Sequence, residues 1–251
     1  MSWLADSADV PSGSAGQPSP RVLVLWDIDH TLVDSGGVGR PIYERAFRSA
    51  FGTELERQAG LWGRTELDIM AETLRANGLE PTDDATSRLA RALTECYEAA
   101  REEMAAKGRP LPGARETLAF LAEDARLYQS LLTGNLKEVA RIKVEVFDLA
   151  KYLDLEAGAY GEDDHNRAML VHRAQERAQA ITGEVFTNSR TVLIGDTPND
   201  IRAGQEAGVQ VIGVASGKNS ADELRGAGAE HVIADLVRPG ELRNLLVSFL
   251  P

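Results

Sequence analysis

Two aspartates one residue apart, Asp27 and Asp29, close the apolar run "VLVLW", and Thr31 follows two positions later. Further along, "TGN" (Thr133, Gly134, Asn135) follows the run "LYQSLL", and "GDTPND", with Asp196 and Asp200, overlaps the end of "TVLIG". Four carboxylates, two hydroxyls and an amide thus stand at the ends of three apolar runs. Carboxylates crowded into a partly desolvated crevice raise one another's pKa, so the cluster requires a counter-cation. A hard divalent ion such as Mg2+ suits oxygen ligands shared with water and phosphate. One cysteine, Cys96, and four histidines (His30, His165, His172, His231), none paired at ligand spacing, offer no zinc set. At the end of a strand, where the chain turns, one aspartate of an Asp-x-Asp pair can face a substrate while the other leans over it. The first then attacks to form an acyl-phosphate and the second transfers protons, while Thr133 and nearby amides hold phosphoryl oxygens. Singly, each piece also reads as a helix N-cap or a turn. Turn chemistry does not readily produce all three together.

The elements that must position these groups follow from apolar patterning. "RVLVLW" (21–26), "LYQSLL" (127–132), "LEAGAY" (155–160), "TVLIG" (191–195) and "VQVIGVA" (209–215) read as buried parallel strands, with "HVIA" (231–234) a sixth. Helical patterns separate most of them, which predicts an α/β fold with a doubly wound parallel sheet. Ligands of such sheets bind beyond the carboxyl ends of the strands. The interval between the first two runs is far longer than a crossover needs. It reads as helical in three stretches, "RPIYERAFRSAFG", "TELDIMAETLRANGL" and "DDATSRLARALTECYEAAREEMAAKG", each closing at glycine or Asn-Gly. The expected organisation is a mobile Ser/Pro/Gly-rich tail over 1–20 without a leader pattern, a core over 21–35 and 112–251, and a smaller all-helical domain over 36–111.

Composition narrows the partners. The 251 residues are 43% hydrophobic and 26% charged, as in ordinary globular chains, and the net charge is −12. Such a surface repels nucleic acid and anionic membrane, and no run approaches a membrane span. A lone cysteine permits no disulfide within the chain and suits a reducing, cytoplasmic setting. The reading is a small-molecule protein, monomer or homodimer.

At this point the motifs resemble a known family. "DIDHT", "LLTGN" and "IGDTPND" are similar to the first, second and fourth motifs of the haloacid dehalogenase superfamily. The resemblance covers 21–35 and 112–235, and the insert falls where the family's first type of cap domain is placed. It implies a Rossmann-like core and a magnesium-dependent phosphomonoester hydrolase acting on a small phosphorylated metabolite through an aspartyl-phosphate. By the same resemblance Asp27 would be nucleophile and metal ligand, and Asp29 the acid/base, offering its backbone carbonyl to the metal. Thr133 would bind phosphoryl oxygen, Asp196 would be a metal ligand with Asp200 supporting it, and Thr31, Gly134 and Asn135 would line the substrate.

Two departures and one loop remain. The third motif should supply a Lys or Arg, yet "YGEDDHNRAMLVHRAQERAQ" has no lysine. Arg167, at a helix start, is the choice; Arg173 is the alternative, reading otherwise as a solvated helix face. Lys137 and Lys143, on the helix after the second motif, are expected to bind nothing. His30 stands where the family commonly has glycine. "LWGRTELDIM" resembles the loop that phosphoglycolate-phosphatase-like caps lower over the site, making Trp62, Gly63, Arg64 and Thr65 specificity candidates. Arg64 would suit a substrate carboxylate or second phosphate, against the competing account of an interhelix turn. Gly36, Gly37 and Gly39 would form the hinge, while Cys96 and Tyr97 read as packing residues. Asp29 speaks against dehalogenation, and Lys107, at the insert's exit, is poorly placed for Schiff-base chemistry. A phosphomutase of the same fold and a catalytically silent binding module stay open, as does the identity of the ester.

Overall fold

The computed structural model describes residues 20–60 and 64–251; the tail expected over 1–20 lies outside the described residues except for Pro20, as do Trp62 and Gly63. All five residues of β1 (Val22–Trp26) are fully buried. A strand with no polar face must be covered on both sides. Val22, Val24 and Trp26 pack into one apolar cluster, with Leu118 and Leu121 of α5 (Ala114–Ala122), Val139 and Ile142 of α6 (Lys137–Val146) and Leu246 of α10 (Pro239–Val247). Leu23 and Leu25 point the other way, toward Leu170 and Val171 of α7 (Arg167–Thr182) and Ala203 and Ala207 of α8 (Pro198–Ala207). Each large apolar side chain so buried contributes roughly 1.5–3 kcal/mol.

Around β1 lie β4 (Leu127–Leu131), β5 (Thr191–Gly195), β6 (Gln210–Val214) and β7 (His231–Ile233). Their order is β4-β1-β5-β6-β7, every pair parallel, with α9 (Ala221–Gly226) preceding β7. This is the doubly wound α/β sheet that the apolar runs predict. The chain passes to one side of β1 to form β4 and to the other to form β5, opening a crevice at the strands' carboxyl ends. Trp26 lies level with Leu131 and with Ile194, so the three motif-bearing strands end together.

One expected strand is absent. Residues 155–160 make only an isolated bridge, Ala159 with Leu132. Asp154 captures the backbone amides of Glu156 and Ala157 at 3.0 and 3.2 Å, giving the backbone a turn in place of a ladder.

The helical insert leaves and rejoins through an antiparallel pair, β2 (Val33–Asp34) and β3 (Arg109–Pro110). Between them run α1 (Gly39–Phe51), α2 (Glu66–Ala76), α3 (Asp83–Ala99) and α4 (Arg101–Lys107). The third predicted helix is therefore two, divided at Ala100, whose N–H is shared between the Cys96 and Tyr97 carbonyls. Neither glycine nor proline marks that break in the sequence. Leu89 and Leu93 of α3 join the apolar stripe Ile42, Ala46 and Phe47 of α1 in one core, the helical spacing that places each on a single face.

Gly36, just after β2, has φ of +64°, and a Cβ there would lie 2.2 Å from the Lys107 carbonyl oxygen; Gly37 has φ of +78° but open space around it. Gly37→Ala should lose about 1–2 kcal/mol of stability in urea denaturation, the cost of a left-handed backbone. Gly36→Ala should lose clearly more, because the β2–β3 junction must also shift. Equal losses would mean that the contact with Lys107 is unimportant.

Candidate active site

Beyond β1 the chain stays attached to its neighbour, the Asp27 amide donating to the Ile194 carbonyl at 2.9 Å. It then folds into a tight loop in which the Leu32 and Val33 amides both return to the Ile28 carbonyl at 2.9 Å. His30 takes φ of +62° at the turn, a conformation that glycine adopts without strain and histidine more readily than most. That position accounts for the glycine expected there. The turn separates the two aspartates, sending Asp27 and Asp29 into different surroundings.

Asp27 joins Asp196 and Asp200, all three buried, with one oxygen of each within 4.8 Å of the others. Burial pushes the Asp27 carboxyl up to about 7; Asp200 and Asp29 add to this, and Arg167 opposes it. Asp196 is pushed to about 8 by burial and by the charges of Asp27 and Asp200, although Thr31 donates a hydrogen bond to it at 3.3 Å. Asp200 sits in the first turn of α8 and closes a capping box, one oxygen accepting from the Thr197 amide at 3.0 Å and hydroxyl at 2.6 Å. Three buried carboxylates, with no nitrogen or sulfur donor among them, fit a hard divalent cation.

Arg167 completes the cluster. It is the first residue of α7, behind Asn166, whose side chain caps the helix by accepting from the Ala168 amide. Its Nη2 donates to Asp27 at 2.9 Å and to Asp200 at 2.5 Å. Burial alone would lower its pKa, but the two carboxylates outweigh that and hold it raised. Arg173 lies exposed and pairs with Glu176 at 3.3 Å. Of the two arginines only Arg167 reaches the acids.

Asp29 has a cation of its own. The Lys143 ammonium donates to both of its oxygens at 2.7 Å and to the Asn135 side-chain oxygen at 2.8 Å. Asn135 in turn donates at 2.8 Å to Asp29 and to the Thr133 hydroxyl. Burial would raise the Asp29 carboxyl, but Lys143 and Asn135 overcome it and hold it below its ordinary value. The expectation that Lys143 binds nothing is therefore corrected. Its signal was present: Lys143 lies one helical turn after Val139, on the buried face of α6. Lys137 is on the outer side, paired with Glu156. Tyr97 is buried too, but its ring lies 5.4 Å from the Lys143 ammonium and lines the cavity described below, so it does more than pack.

The insert touches the second motif directly. The Glu66 amide donates to the Gly134 carbonyl at 2.8 Å, and the Leu67 amide to that of Gly161 at 3.2 Å. A Cβ on Gly134 would lie 1.9 Å from the Arg64 carbonyl oxygen, so this approach demands glycine. Thr65, expected to bind substrate, is buried and donates to the His165 carbonyl at 3.2 Å, which makes it part of the seam. The Arg64 guanidinium, expected to meet a substrate anion, is matched by Asp68 and Glu72 of α2, each at 2.6 Å. Between insert and sheet lies a cavity of about 450 Å³, reached by Asp27, Asp29, Thr133, Gly134 and Arg167 from below and by Tyr43, Glu66, Ile69 and Leu93 from the insert. No helix among the described residues is long and apolar enough to cross a membrane.

Comparison with known proteins agrees with this geometry. The haloacid dehalogenase-like hydrolase family matches residues 24–205. The "Probable phosphatase IndB" of Dickeya dadantii is 28% identical over 85% of this chain and 89% of its own. A phosphoglycolate phosphatase of Pseudomonas putida is 26% identical over 86% of this chain and 77% of its own. The crystal structure of a hydrolase from Pseudomonas syringae superposes with a TM-score of 0.62 at 23% identity, covering 90% of this chain and 99% of that one.

The raised carboxyls set a pH dependence. Folded Asp27 and Asp196 hold protons up to about pH 7 and 8 that the unfolded chain releases near 3.8, so their contribution is complete below 3.8 and lost as pH rises through 7 and 8. A divalent cation displaces those protons. Added Mg2+ should therefore raise the melting temperature of chelator-treated protein more at about pH 8 than at about pH 5.5. An equal rise at both would contradict the acid cluster as the binding site.

Proposed function

The chain belongs to the haloacid dehalogenase-like hydrolases, and from that premise we propose that it is a magnesium-dependent phosphomonoesterase acting on a small phosphorylated metabolite. The observation that carries this reading is the division of the two aspartates: Asp27 bound to Arg167 in the buried acid cluster, and Asp29 held apart by Lys143 and Asn135. The names of the two curated relatives, both phosphatases, support the phosphate ester as substrate.

In this reading an ionised Asp27 oxygen attacks phosphorus and the bond to the leaving oxygen breaks; Asp29, kept ionised in the free site by Lys143, takes a proton from the monoanionic ester and gives it to that oxygen. Water then attacks the aspartyl-phosphate, Asp29 takes the water's proton, and phosphate departs from a regenerated Asp27. Arg167 neutralises nucleophile and phosphoryl group together. The Thr133 hydroxyl and the Gly134 backbone receive the phosphoryl oxygens, and Asn135 and Lys143 fix the direction in which Asp29 faces. Asp27, Asp196 and the Asp29 backbone carbonyl would hold Mg2+, with Asp200 in support; when bound, the ion supplies charge neutralisation for the phosphoryl oxygens. Helices α1–α4 act as a cap whose closure, through Glu66 on Gly134, excludes water other than the one that reacts.

Phosphate release from a panel of monoesters, with Mg2+ and with chelator, tests this. Activity should require the metal, and Asp27→Asn should lower it by about 10³-fold or more. Near wild-type turnover in that variant would refute the covalent step. Arg167→Ala should cost about 10²–10³-fold, whereas Arg173→Ala, which removes an exposed pair, should change the rate by less than about twofold. Lys143→Met should slow turnover by at least about tenfold, because Asp29 loses the group that orients it.

A further inference from the structure

The cavity wall supplied by the insert has a chemistry different from that of the acid cluster. Tyr43 on α1, 4% exposed, and Glu66, the first residue of α2, both line it. The Tyr43 hydroxyl and the Glu66 Oε1 are buried without a well-formed hydrogen bond, although the two groups lie near enough to influence each other's proton and the Thr73 side chain also acts on Tyr43. Buried polar atoms in folded proteins nearly always find partners, and both of these residues line a cavity able to hold one. Ile69, Leu93 and the Tyr97 ring provide apolar surface beside them.

We propose that the ester's leaving group is uncharged and carries several hydroxyls, as in a sugar or polyol phosphate, and that Tyr43 and Glu66 are the residues that recognise it. This rests on the phosphomonoesterase reading above. A phenol O–H donates, and a carboxyl both accepts and, when protonated, donates, which matches the paired character of a hydroxyl. Burial pushes Glu66 up to about 7, so both of its forms are populated at neutral pH. A carboxylate on the leaving group would instead face Glu66. The cations that line the cavity are engaged: Arg64 by Asp68 and Glu72, Arg40 by Glu44 at 2.9 Å, Lys143 by Asp29, Arg167 by Asp27 and Asp200, and Lys218 in interactions of its own. The apolar patches suit the C–H faces of a sugar, and the cavity's size falls within the roughly 300–1,000 Å³ of small-molecule sites.

The test compares kcat/KM of the full chain with Mg2+ for ribose 5-phosphate, sorbitol 6-phosphate and 2-phosphoglycolate. The hydroxylated esters should be preferred by at least about tenfold, and Tyr43→Phe and Glu66→Gln should each shrink that preference by about five- to tenfold, chiefly through KM. Both substitutions preserve shape, and melting curves verify the fold. A preference for 2-phosphoglycolate, or variants that scale all three esters alike, would overturn the assignment. Calorimetric binding of the same esters to Asp27→Asn reads the pocket without turnover. A preference there that Tyr43→Phe reduces, with no ester hydrolysed by the unaltered protein, would sink the phosphomonoesterase reading and leave the leaving-group assignment standing. Absence of any preference in both assays would overturn the latter.

Discussion

Everything around the site answers to one constraint: three carboxylates lie buried together, two of them hydrogen-bonded to one arginine, in a place where water can screen very little. Like charges so placed destabilise a fold unless protons, cations or donors offset them. The chain uses all the means available to its own residues. Asp27 and Asp196 are pushed toward neutrality, Asp200 is absorbed into a helix cap, and Arg167 bridges two of the three. The sheet makes this possible by ending β1, β4 and β5 level, and the apolar strand β1, covered on both faces, holds that edge still.

The same economy explains the second cation. Asp29 sits only two residues from Asp27, yet the His30 turn carries it to a different neighbourhood, where Lys143 compensates it independently. Two acids of one motif are thereby given opposite proton affinities, Asp27 raised and Asp29 lowered. In the free site this order is the reverse of the one that attack by Asp27 and proton donation by Asp29 require, so in the proposed reaction Asp27 must lose a proton and Asp29 gain one as metal and ester bind.

Much of this was legible in the sequence, for physical reasons that differ by element. Continuous apolar runs such as "VLVLW" admit few structures other than a strand covered on both faces, so the sheet and its acid-bearing edge followed directly. Arg167 was legible because it opens a helix whose cap, Asn166, is a strong local signal. Residues 155–160 misled because small apolar residues carry no period, and the turn is made by the side chain of Asp154, just before them. Lys143 misled through its type: a lysine on a helix is usually solvated, and only its spacing from Val139 marked it as inward. Arg64 was placed correctly on the loop at the seam, but its charge is satisfied by acids four and eight residues away, a pairing that follows from helix geometry once α2 is known to begin beside it.

The contact between Glu66 and Gly134 is made by an amide and a carbonyl, and it uses no side chain. Any residue but proline at position 66 can make it, while the side chain there lines the cavity. Fastening and discrimination are separated within a single residue. A lineage of such chains is therefore free to revise what the chamber accepts, by substitutions along α1 and α2, without relearning how the chamber shuts or disturbing the acids beneath it.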